Sequence, residues 1–120
     1  MYAHLIAALL VVHGLIHAIG IATTFANAEI EGFSGEPTLD IGVALRAFSL
    51  LWGVALVGML AAAVGVELDQ TWWWPVALVA AVVSMVAVTV WWQDARFGAV
   101  ANALVIAAVL VAPRIPDVAP

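Results

Sequence analysis

No Asp, Glu, Lys or Arg occurs between Met1 and Ala28, and three more uncharged stretches follow at Ala47 to Val66, Gln70 to Gln93 and Phe97 to Pro113. A hydrocarbon layer about 30 Å thick is crossed by roughly 20 apolar residues rising 1.5 Å each. All four stretches reach that length, the last at its lower limit. Backbone N–H and C=O groups must be paired inside lipid, and these stretches lack the polar-apolar alternation of barrel strands, so the reading is four helices. Composition agrees: the chain is 67% hydrophobic and 9% charged, with a mean hydropathy of +1.18, outside the range of ordinary soluble domains. The expectation is an all-α fold, an integral membrane antiparallel four-helix bundle. Its spans fall near 3–26, 41–66, 72–93 and 97–113 of a single domain over residues 1–120.

The first stretch is expected to remain as a span, because no Lys or Arg precedes it and it exceeds the apolar core of a removable signal. With no cysteine in the chain, disulfides and thiolate metal sites are excluded. The net charge of −5 comes from short connections, and with 3 Lys and Arg in total there is no basic patch for nucleic acid. The partners implied are the lipid bilayer and, through small residues such as Gly53, Gly58 and Ala61 to Ala63, a second copy or a larger membrane complex.

Three short connections join the spans. The first, Asn27 to Asp40, carries Glu29, Glu31, Glu36 and Asp40, and Thr38 or Asp40 is placed to cap the second helix. Asp94 and Arg96 close a tight hairpin between the third and fourth spans. Trp72 to Trp74 open the third span and Trp91 and Trp92 end it, as expected of rings anchored at two headgroup regions. Pro75 falls in the first turn, where a missing N–H costs little. Counting Arg alone places the face with Arg46 and Arg96 in the cytoplasm. With Arg46 set aside as a candidate site residue, the expectation is a multi-pass cell-membrane protein with cytoplasmic termini.

Ionisable residues within spans are costly and point to function. His13 and His17 are four residues apart and share one face of the first helix. His4 lies elsewhere, near the membrane end. Counting back from the first connection, His17 is about 12 Å deep and Arg46 about 9 Å, with Asn102 at similar depth on the fourth span. Asp94 stands at the same end, so polar residues from all four helices meet in one leaflet and the other half of the bundle is nearly featureless. A pocket lined by His13, His17, Arg46, Asp94 and Asn102 follows. Arg46 either snorkels to the headgroups, pairs with Asp94 or meets an anionic ligand. The structural alternative is an Arg46 to Asp94 lock, with His17 bonded to a neighbour's backbone. His13 and His17 also have the spacing of two metal ligands, although a third ligand would be needed.

The segments HGLIHAIG, RAFSLLWG, TWWWP and WWQDARFGAVAN together resemble a group of small four-helix membrane proteins of bacteria and archaea, across nearly the whole chain. That resemblance implies a membrane module and no particular activity. More loosely, the His-Gly segment and four-span layout are similar to DoxX-type membrane proteins, some linked to quinone or sulfur redox chemistry; His17 stands near where that pattern has Lys. No nucleophile elbow, phosphate loop, paired intramembrane carboxylates or metalloprotease motif occurs, so the reading leans away from an enzyme. No cofactor is specified. The functional expectation is binding of a small anionic, lipid or quinone-like ligand in the polar pocket. The alternative is a structural or accessory subunit of a larger membrane complex, with no ligand of its own.

Overall fold

The computed structural model describes residues 2–25, 29, 31, 34, 36–39, 42 and 45–116, without the side chains of Thr24, Phe25, Leu45 and Arg46. Helix α1 is Tyr2–Phe25, α2 Leu45–Glu67, α3 Trp73–Val90, α4 Trp92–Ala95 and α5 Phe97–Val111, and a 3-10 turn follows at Ala112–Arg114. Four of the helical segments are long and apolar enough to cross a membrane, with spans of 22, 21, 18 and 18 residues. α1 packs on α2, α2 on α3, α3 on α5, and α5 returns to α1 through the sparsest contact of the four, so the bundle is all-α and closed by a loose α1/α5 seam. Aliphatic side chains face outward around the whole barrel of helices, among them Leu15 on α1, Val57 on α2, Val82 on α3 and Leu104 on α5.

Placed in lipid, whose tails are as apolar as Leu, helices of this composition would associate through close packing and interhelical hydrogen bonds more than by excluding water. The core is accordingly rich in alanine: Ala62, Ala63, Ala77, Ala80 and Ala81 surround Leu10, Met59 and Val105. Gly58 shows why size matters, because a Cβ there would lie 2.8 Å from the Cβ of Ala80. α2 and α3 touch at that point almost backbone to backbone.

The backbone turns near two of the span ends. α2 is described from Leu45, and upstream of it Gly42 has φ +56, in the left-handed region that cannot continue a right-handed helix. The third span stops at Val90 because Trp91 (φ −107, ψ 42) leaves helical geometry before the short α4 begins. This kink leaves carbonyls of the last turn without helical donors. For one of them, Val90 O, the donors are Thr38 and Leu39, whose N–H groups lie 2.7 and 3.2 Å away, while Thr38 Oγ1 accepts the Gln93 N–H at 3.0 Å. Thr38 therefore closes the α3/α4 junction; Asp40 and residues 43 and 44, just before α2, lie outside the described residues, and with them the expected cap of α2.

Two other expectations are corrected. Trp72, Trp74 and Trp92 are 43%, 39% and 45% exposed, but Trp73 and Trp91 are buried, so two of the five clustered tryptophans are core residues. Trp91 turns inward to meet Trp52, with ring centroids 5.4 Å apart. Nor is the far half of the bundle featureless: Nδ1 of His4 lies 2.9 and 3.1 Å from the two carboxylate oxygens of Glu67, tying the start of α1 to the end of α2.

Candidate functional site: a buried polar network beside a lateral cavity

Helical spacing puts His13 and His17 on the inward face of α1, at the middle of the bundle and one turn beyond it, and both are buried. Across from them stand Ser84 of α3 and Asn102 of α5, each 0% exposed. Four contacts join these residues. Nε2 of His13 is 2.7 Å from Oδ1 of Asn102, Nδ2 of Asn102 is 3.0 Å from Oγ of Ser84, Oγ of Ser84 is 2.6 Å from Nε2 of His17, and Nδ1 of His17 is 2.8 Å from the carbonyl oxygen of His13.

The direction of every bond follows from the last one. A carbonyl can only accept, so His17 Nδ1 carries a hydrogen; a neutral ring then has a bare Nε2. Ser84 must donate its O–H to that nitrogen. Its oxygen in turn accepts the Asn102 N–H, which turns Oδ1 of Asn102 toward His13 as the acceptor of the His13 Nε2–H. With both rings neutral, the four bonds run in one order, His13 to Asn102 to Ser84 to His17 and back to the His13 backbone. One nitrogen remains over. Nδ1 of His13 is a bare acceptor with no partner among the described residues.

Beside this network is a cavity of about 250 Å³, to which α1 contributes His13 and His17 and α5 contributes Phe97 and Gly98. Trp52 of α2 and Asp94 of α4 also line it. Ile16 borders it too, and since Ile16 and Phe97 are 51% and 75% exposed, the cavity opens through the α1/α5 seam onto the apolar outer surface. Trp52 closes against α1: a Cβ on Gly20 would lie 2.5 Å from its ring, and its centroid is 5.7 Å from that of His17. Its Nε1 is the one sealed side-chain nitrogen or oxygen among the described residues that lacks a hydrogen-bond partner. Nδ1 of His13, likewise without a partner among the described residues, belongs to a ring that lines the cavity.

Of the residues singled out from sequence, His13, His17 and Asp94 line this cavity, whereas Asn102 lies behind it and holds His13. Asp94 sits at the α4 end, where its carboxylate accepts the Ser34 N–H at 3.1 Å and the Ser34 hydroxyl at 3.0–3.1 Å. The Arg46 side chain, and with it the expected Arg46 to Asp94 pair, lies outside the described residues. His17 bonds the backbone of its own helix and not that of a neighbour. Ser84, Trp52 and the seam were missed. The signal for Ser84 was present, as a hydroxyl in the third uncharged stretch at about the depth of His17. For metal binding, three of the four imidazole nitrogens already hold hydrogen bonds, and no group of three His, Cys, Asp or Glu converges among the described residues.

Comparison with known protein families, with curated proteins and with solved structures gives no match.

Proposed function

We propose that this chain is a multi-pass protein of the cell membrane, with cytoplasmic termini, that takes the polar head of a lipid-soluble molecule into the α1/α5 cavity. The observation carrying this reading is the combination of exposed apolar residues at the cavity's edge with His13 in its lining, a ring whose Nδ1 has no partner among the described residues. At about 250 Å³ the cavity is below the roughly 300–1,000 Å³ of pockets that enclose a drug-sized molecule. A head group fits, and its tail leaves through the seam into lipid. The resemblance to DoxX-type proteins points toward a quinone-like head among lipid-soluble candidates. Binding of a small anion is the branch that leans on Arg46.

The test is native mass spectrometry of the detergent-purified protein, with lipid and quinone extraction and metal analysis of the same sample. A lipid or quinone at one per chain, lost in Gly98→Leu while the fold persists, supports the reading. A clean apo chain in both samples contradicts it.

A second reading has its own observation. Every polar side-chain atom of His17, Ser84 and Asn102 holds a partner without any ligand, which suits a device that locks α1, α3 and α5 in an accessory subunit or homo-oligomer. Stoichiometric partner chains or a dimer in the same spectra, with no small molecule, would favour it.

A further inference from the structure

Resting on that cavity reading, we infer that the site selects heads that donate a hydrogen bond: a neutral, ring-sized amphiphile bearing a hydroxyl, as in a phenol or quinol, in preference to a carbonyl-only head. The inference comes from following the hydrogens around the network. His17 cannot serve a ligand, because Nδ1 is committed to the His13 carbonyl and Nε2 to the Ser84 hydroxyl. Asn102 and Ser84 are fully buried and pair with each other and with the two imidazoles. Nδ1 of His13 is what the network leaves over. Because Asn102 Oδ1 holds the hydrogen on the opposite nitrogen, Nδ1 offers a lone pair.

A lone pair on the wall of an apolar cavity is matched by an O–H and opposed by another lone pair. A carbonyl head placed there would leave both acceptors unsatisfied and out of water. Asp94, the one charged residue among the described residues lining the cavity, is likewise an acceptor, so it adds nothing for a carbonyl. The single indole donor nearby, Trp52 Nε1, is sealed away. The remainder of the described wall, including Ile16, Val88 and Phe97, is apolar and suits a ring. Binding a hydroxyl at Nδ1 breaks no existing bond, so the site is ready for that head as it stands.

The experiment compares a para-alkylphenol with its methyl ether, which keeps ring, tail and oxygen and lacks only the donor. Binding of each is measured by native mass spectrometry to the detergent-purified wild type, His13→Gln and Gly98→Leu. The expected result is about tenfold tighter binding of the phenol by wild type, the effect of one matched hydrogen bond. The preference disappears in His13→Gln, and neither probe binds Gly98→Leu. In the unmodified protein, the ¹⁵N resonance of His13 Nδ1 shifts with the phenol and not with the ether. Equal binding of both probes by wild type, lost in Gly98→Leu, would overturn donor selection and leave the cavity reading standing. No binding of either probe by wild type, or undiminished binding by Gly98→Leu, would overturn both.

Discussion

Nε2 of His17 lies 2.6 Å from Oγ of Ser84, a hydrogen bond that crosses the bundle between α1 and α3, helices that are diagonal in the α1, α2, α3, α5 ring. Neighbouring helices in this protein meet through alanine and glycine, which pack closely at many registers. A directed bond through the centre is satisfied at one. The buried polar residues thus specify which turn of α1 faces which turn of α3, and they leave Nδ1 of His13, a residue that lines the cavity, without a partner among the described residues.

Replacing Ser84 or Asn102 should loosen this arrangement in a coupled way. Interhelical hydrogen bonds in membranes contribute roughly 0.6 kcal/mol on average and up to about 1.7. Each of these residues makes two such bonds, to each other and to an imidazole, so Ser84→Ala and Asn102→Leu should each cost about 1–3 kcal/mol in reversible detergent unfolding. They share one bond, so the double variant should cost less than the sum of the singles by about 0.5 kcal/mol or more. Strict additivity would mean the bond between them contributes nothing.

Two glycines on facing helices should respond oppositely to alanine. At Gly20 a Cβ would lie 2.5–2.7 Å from three atoms of the Trp52 ring, whereas at Gly53 the nearest atom is Ile21 Cδ1 at 3.9 Å. Gly20→Ala should lower stability by about 1–3 kcal/mol through overpacking. Gly53→Ala should be neutral or raise it by up to about 1 kcal/mol from helix propensity alone. Thermal unfolding in one detergent compares them directly, and a similar loss in both would contradict the observed α1/α2 packing.

Thr38→Val keeps the side-chain shape and removes the acceptor for the Gln93 N–H. Loss of a cap of this kind costs about 0.5–2 kcal/mol. Hydrogen exchange at Gln93 should accelerate while exchange at Met59 and Ala77, deep in the alanine-rich core, stays unchanged. Unchanged exchange at Gln93 would show that Thr38 does not hold the junction.

The His4 to Glu67 link should contribute little. Its side chains are 77% and 43% exposed, and exposed ion pairs are worth about 0–1 kcal/mol. His4→Gln is expected to unfold within about 0.5 kcal/mol of wild type, unlike any variant of the central network.

Much of the fold could be read from charge placement, because four uncharged stretches dictate four helices and the unpaired backbone of a lipid-exposed loop forbids much else. Helical spacing likewise put His13 and His17 on one face, and depth brought Asn102 level with them. What spacing along one helix cannot reveal is rotation relative to another. Ser84 is an ordinary polar residue of α3 until α3 is turned toward α1. Trp91 reads as a headgroup anchor until the kink at its own backbone folds it onto Trp52. Thr38 has the composition of a helix cap but serves the α3/α4 junction, bonding Gln93, 55 residues further along the chain; the kink that requires such a cap leaves no mark in local sequence pattern.

The central claim is that the network runs in one order and leaves Nδ1 of His13 open, and the most direct measurement is the ¹⁵N spectrum of histidine-labelled protein in detergent or bilayers. The account predicts two neutral imidazoles of opposite tautomer: His17 with its hydrogen on Nδ1, and His13 with its hydrogen on Nε2. Identical tautomers, or a His17 carrying hydrogens on both nitrogens, would contradict it.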